Sequence, residues 1–310
     1  MKADTPERSL SPAASALAAG ICVLWGANTV AIKFSLEGFG PFTAAAVRFG
    51  ISLALLWAWA AASGRSLRPP AGCMRPLVVN SILFTVQLAL VYVAFTFTSA
   101  SHGALITNLQ PFMLLFLAHF FLRGDRITVL KLAGLVLGCA GAVCVFMDRQ
   151  GASDAVMLGD LLLLGATAVW AGSAAYTKHL VRSISSVQIV FYQMLFSVPL
   201  FALAAPVLDA PMVGRVDLGV VIAIGFQVLL TTSFAFVAWT WLLQVHGAVA
   251  LHAFVFLIPV AGVLFAELIL DEPITAMTLV ALVLITAGIL VVQMGQRREV
   301  RELGRGEVRP

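Results

Sequence analysis

Long apolar runs, interrupted at near-regular intervals by glycine, proline and charge, set the rhythm of the chain. Ten such runs are visible, at about 14–34, 41–62, 76–98, 103–122, 128–147, 158–178, 187–207, 217–243, 248–270 and 275–295. Each is close to the roughly 20 residues that a helix needs to cross the hydrocarbon core of a bilayer. The runs predict an all-α polytopic membrane bundle of ten transmembrane helices. Only the tails, 1–13 and 296–310, and short connections lie outside it, so the function has to sit inside the bundle.

Composition agrees with this pattern. Apolar residues make up 61% of the 310 positions and charged residues 11%, a balance foreign to a water-soluble globule of this length. The first run is of full spanning length, carries Trp25 and Asn28, and leads into further runs; it reads as the first span and not as a cleaved signal. The cysteines, Cys22, Cys73, Cys139 and Cys144, form no CxxC pair, so neither disulfides nor a metal site are expected. Charge orients the bundle. With a cytoplasmic amino terminus, fifteen of the 19 Lys and Arg residues fall on the inner side, Lys33, Arg149 and Arg215 fall outside, and Arg48 lies within the second span. Cationic loops resist translocation, which predicts a multi-pass protein of the bacterial inner membrane with both tails in the cytoplasm. The basic balance thus reports topology and not a nucleic-acid partner. The cationic tail can touch membrane lipid, but Glu299, Glu302 and Glu307 are interleaved with its arginines.

The two halves resemble each other. Trp25 and Lys33 in the first span are matched at the same interval by Trp170 and Lys178 in the sixth. Ala94-Phe95-Thr96-Phe97 followed by His102-Gly103-Ala104 is echoed by Ala238-Trp239-Thr240-Trp241 followed by His246-Gly247-Ala248. Asp125-Arg126-Ile127-Thr128 is echoed by Glu272-Pro273-Ile274-Thr275, each after a run containing a proline, Pro111 or Pro259. The matches divide the chain into repeats at 14–147 and 158–295. Five spans per repeat is an odd number, so the second repeat is expected to be inverted, the arrangement that permits alternating access to a midplane site.

Trp25-Gly26-Ala27-Asn28-Thr29-Val30-Ala31-Ile32-Lys33, Arg48-Phe49, Thr98-Ser99-Ala100, Gly124-Asp125-Arg126 and Asp271-Glu272-Pro273 together resemble the EamA-type transporters of the drug/metabolite transporter superfamily. The resemblance spans about residues 15 to 295. Two corners depart from it: Asp125 stands at the usual glutamate and Asp271 at the usual glycine. It implies ten spans, a five-plus-five repeat and a secondary transporter of small solutes, with amino acids or related zwitterions as the expected cargo and export the expected direction.

Polar groups at membrane depth are costly unless they face a partner or a wet cavity. Trp25 and Asn28 share one helix face, and Trp170 and Ser173 repeat that spacing with Tyr176 nearby. Gln87, Tyr92, Asn108, Gln110, Gln227, Thr231 and Trp239 add amides and aromatics from other spans. They either line a cavity suited to a zwitterion or bond between helices. Arg48 could clamp a carboxylate or brace the bundle; the uncharged Gln193 at the equivalent place, beside Tyr192, and the arginine usual in the resembling family favour the brace. No carboxylate is expected at midplane, which favours exchange or uniport over proton antiport, with Glu267 and His252 as the titratable coupling candidates. His119 and His252 are expected near inner span ends, and Asp125 and Glu272 are expected to cap the helices that follow them. Gly134 and Gly138 predict close packing against the tenth span or a homodimer contact; Pro111 and Pro259 are candidate gates.

An embedded enzyme would need a nucleophile and base or a metal cluster at depth, and neither HExxH, GxSxG nor a Cys/His ligand set is present. No catalytic residue and no cofactor are therefore expected. Drug or nucleotide-sugar transport within the same superfamily, and a non-transporting membrane assembly role, remain as alternatives.

Overall fold

The computed structural model describes residues 11–121, 128–148, 153–181, 183–246, 251 and 254–306. The helices are α1 (Pro12–Gly38), α2 (Pro41–Ala62), α3 (Met74–Ala94), α4 (Ala100–Thr107), α5 (Gln110–Phe121), α6 (Val129–Met147), α7 (Asp154–Leu180) and α8 (Ser186–Leu208). Then come α9 (Leu218–Phe226), continued through a π-helical stretch (Gln227–Phe234) into α10 (Ala235–His246), followed by α11 (Leu257–Leu270) and α12 (Ala276–Gly306). Among the described residues there is no strand; one isolated antiparallel bridge joins Phe39 to Val213.

Among the described residues, eight helical stretches are long and apolar enough to cross a membrane. The fourth and ninth expected spans differ from the sequence reading. The fourth is broken at Asn108 and Leu109 into α4 and α5, and the ninth is helical over the 14 residues of α11 after a turn at Phe254–Phe256. Each break lies just before the proline of its run, Pro111 or Pro259, where the missing N–H and the ring disfavour uninterrupted helix. Outward-facing apolar side chains remain bare, Leu203 72% and Val207 79% exposed among them, as expected where lipid is the solvent.

Small residues let the helices approach closely. A Cβ on Gly26 of α1 would lie 2.6 Å from the Ile258 carbonyl oxygen, and one on Gly262 of α11 would meet Ala104 of α4. On α6, Gly134 faces Gly288 and Val292 of α12, and Gly141 faces Ile285. The glycine face of α6 therefore packs within the chain, against α12 as the sequence suggested.

The ends of α1, α3, α6, α8 and α11 meet the starts of α2, α4, α7, α9 and α12 at one end of the bundle, the far end. The opposite, near end is where α1 begins and α5 and α10 finish. Polar bonds knit the far end. The Asp209 carboxylate accepts from the Phe42 and Thr43 amides and the Thr43 hydroxyl at the start of α2. Glu272 accepts from the Ala100 and Ser101 amides and the Ser101 hydroxyl. Glu272 thus caps α4 across the fold, not the helix that follows it, whose Thr278 amide is capped by Thr275. The helix dipole attracts a carboxylate whichever segment supplies it.

Candidate functional site

A cavity of about 780 Å3 lies between the helices. Trp25, Asn28, Arg48, Asn108, Trp170, Gln193 and Trp239 line it, as do Gln87 and Gln110. Gln293 and Gln296 of α12, which the sequence reading passed over, extend the lining toward the near end. Their signal was an amide pair three residues apart at the close of an apolar run.

Five described residues of the sequence prediction stand elsewhere. Tyr92 and Gln227 are buried behind Arg48. Tyr176 packs with Leu77, Leu180, Ile184 and Ile189. Ser173 likewise turns from the cavity and donates to the Asn80 amide oxygen, 3.2 Å away, joining α7 to α3. Glu267 is exposed beside Asp271 and Glu272, away from the cavity. His252 lies outside the described residues, as do Gly124, Asp125 and Arg126.

Arg48 anchors the polar wall. It is 8% exposed. Its Nη1 donates to Tyr92 Oη at 3.3 Å and Gln227 Oε1 at 3.1 Å. Nη2 donates to Thr231 and Thr232, and Nε also donates to Thr232. The π-helical stretch brings the three α9-side partners together, because residues four and five apart face the same side when the turn widens. Tyr92 Oη also donates to Gln227 Oε1, and Gln227 Nε2 donates to the Ala31 carbonyl of α1. All three guanidinium nitrogens are satisfied by neutral groups. Among the described residues no carboxylate pairs with Arg48; the ion pairs found there belong to His102. The arginine thus ties α2 to α3 and to the π-helical stretch, and no described carboxylate balances its charge at the cavity wall.

The first-span motif is explained by the same wall. Trp25 Nε1 donates to the Thr231 carbonyl and its ring meets Trp239 edge-on, with centroids 5.1 Å apart. The Thr231 hydroxyl lies 3.1 Å from the Asn28 amide oxygen. Gly26 gives α11 room, and Lys33 ends the motif with its ammonium on the Phe95 and Thr98 carbonyls.

At the far end, beyond the cavity lining, is a group that sequence reasoning did not assemble. His102 Nδ1 is 2.9 Å from Asp160 Oδ2, and Nε2 is 3.9 Å from Asp148 Oδ2. Thr98 donates to the other oxygen of Asp160, while Thr275 and Thr278 donate to Asp148. Asp160 is 2% exposed. The sequence placed the sixth span at 158–178, whereas α7 starts at Asp154, which moves Asp160 from the expected rim to the second turn. Buried carboxylates are therefore present at the far end.

The EamA-like transporter family model matches residues 13–147 and again 157–294. The chain belongs to the EamA-like transporter family. This multi-pass membrane protein is accordingly a drug/metabolite-type transporter and not an enzyme. A "probable amino-acid metabolite efflux pump" of Escherichia coli is 26% identical over 290 residues, covering 91% of this chain and 95% of the pump. An uncharacterized transporter of Bacillus subtilis is 22% identical, covering 87% of this chain and 92% of its own. A solved crystal structure superposes with a TM-score of 0.68 at 22% identity over 93% of this chain and 99% of that one, a likeness of fold.

Proposed function

We propose that this transporter exports small zwitterionic metabolites, amino acids and their relatives, across the bacterial inner membrane by alternating access. The observation that carries the reading is the cavity: about 780 Å3, within the range of roughly 300–1,000 Å3 typical of small-molecule sites. Its tryptophans offer apolar walls to a side chain, its amides both donate and accept, and the uncompensated charge of Arg48 favours a carboxylate on the solute. A solute amine finds acceptors in Asn28, Asn108 and Gln193 without a fixed anion. The name of the Escherichia coli relative supports the same cargo.

The repeats at 14–147 and 158–295 are read as two inverted five-helix units, and the near end, with both tails, as the cytoplasmic side. In that frame the cavity extends toward the cytoplasm while the far end is closed by Asp209, Glu272 and the His102 group. The chain works with a solute and lipid as partners; no nucleic acid and no cofactor enter the cycle.

The test is uptake of a labelled amino-acid panel into proteoliposomes, comparing the native protein with Asn28→Ala and Trp170→Ala. Saturable transport of at least one zwitterion is expected, reduced about tenfold or more in both variants, as for the loss of roughly 1.4 kcal/mol of binding. Folded protein that moves no zwitterion, or variants that transport as the native chain does, would overturn the assignment.

A further inference from the structure

The far-end group joins elements from across the bundle: Lys33 of α1, His102 of α4, Asp148 after α6, Asp160 of α7 and Glu272 between α11 and α12. Lys33 Nζ holds the Thr98 carbonyl at 2.7 Å, and the same residue's hydroxyl holds Asp160. Glu272 sits on the Ser101 amide, one residue from the imidazole. Three carboxylates thus surround one ammonium and the imidazole, and a fourth, Glu37, lies close enough to act on Lys33, so the described group stays net negative even with a charged imidazole, which lowers the excess by one. Arg149, which follows Asp148, lies outside the described residues.

We propose that His102, Asp148 and Asp160 form a proton-binding site that latches the far end shut, so that proton uptake from that side closes the transporter and proton loss releases it. The chemistry follows from the donor count. A neutral imidazole has one N–H and can serve one carboxylate, leaving a lone pair turned toward the other; an imidazolium donates from both nitrogens. His102, Asp148 and Asp160 are 6%, 7% and 2% exposed, so the group is shielded from bulk solvent in this arrangement. The assembled group therefore prefers the proton. When the far end opens, α4, α6 and α7 part, water reaches the carboxylates, and that preference falls. The state that binds the proton more tightly gains population as pH drops. Acid on the far side thus favours closure, and alkali favours opening. Thr275 and Thr278 on Asp148 and Thr98 on Asp160 hold both carboxylates in place for the imidazole.

The proposal rests on the alternating-access reading, but its test needs no solute. Spin labels at Met157→Cys on α7 and Val213→Cys in the α8–α9 connection, both exposed, are placed in a background whose four cysteines are replaced by alanine. Their distance is measured in lipid nanodiscs at about pH 5.5 and about pH 8.5, a range that brackets histidine titration. The closed distance is expected to dominate in acid, and a longer distance to gain about fivefold in population in alkali, with the response absent in His102→Gln. Asp160→Asn serves as the second variant where His102→Gln does not elute as the folded protein. Distances that ignore pH in the native chain, or a pH response retained in these variants, would overturn the latch. Failure to move amino acids in vesicles would instead count against the cargo alone.

Discussion

Arg48 separates two ways in which a buried cation can serve a transporter. All its nitrogens already have partners on α3 and on the stretch after α9, so removing it takes one donor away from each of Tyr92, Gln227, Thr231 and Thr232. Hydrogen bonds to charged groups are worth about 1.5–3 kcal/mol each, and a lysine cannot reproduce the planar fork. Arg48→Lys is therefore expected to lower the solute-free melting temperature by several degrees, measured by tryptophan fluorescence in detergent, as well as weakening transport. An unchanged melting temperature would make Arg48 a clamp and not a brace. These bonds were not legible beforehand, because the neutral partners come from positions up to 184 residues away. His102 shows the opposite limit. It was visible as one half of a repeated His-Gly-Ala motif, but its meaning depends on Asp148 and Asp160, which no spacing within one helix connects to it.

At the level of helices, glycines decide where backbones can touch. Gly26→Val would drive a branched side chain into the Ile258 carbonyl and Gly262 of α11, whereas Gly20→Ala on the same helix meets nothing within 4 Å. Overpacking of this kind costs typically about 1–3 kcal/mol, while an unhindered Gly→Ala in a helix gains roughly 0.5–1 kcal/mol. Opposite shifts in thermal unfolding are expected from the two variants; equal shifts would show that α1 and α11 are not held at this separation. Helix positions were largely readable from apolar run length, since lipid demands nothing subtler of a spanning helix. The breaks at Asn108 and Phe254–Phe256 were not, because proline marks a site where a helix can break without deciding whether neighbouring side chains compensate. At Asn108 they do: its amide donates to the Ala104 carbonyl at 2.7 Å, which lets α4 end inside the bundle.

For the whole molecule, the two ends differ in kind. The near end is where the cavity lining reaches Gln293 and Gln296, and the far end is fastened by two carboxylates, Asp209 and Glu272, each seated on the start of a helix from the other half of the chain. Interactions made in only one state set the balance between states, and a change of about 1.4 kcal/mol shifts that balance tenfold. Replacing Glu272 with glutamine keeps the size and one acceptor but removes the charge from the α4 amino terminus. It is expected to cost about that much in the closed state alone, since an opened far end lets water take over the amides. Ser35 of α1, fully buried near this end, supplies the reporter: a Ser35→Cys protein should react with a polar maleimide roughly tenfold faster when Glu272→Gln is added. The same increase from the near-end substitution Gln296→Ala is not expected, because Gln296 lines the cavity and lies at the opposite end from the Glu272 cap. Equal rates with and without Glu272→Gln would mean that the cap stabilises both states alike, and control of the far end would then rest with Asp209 and the His102 group.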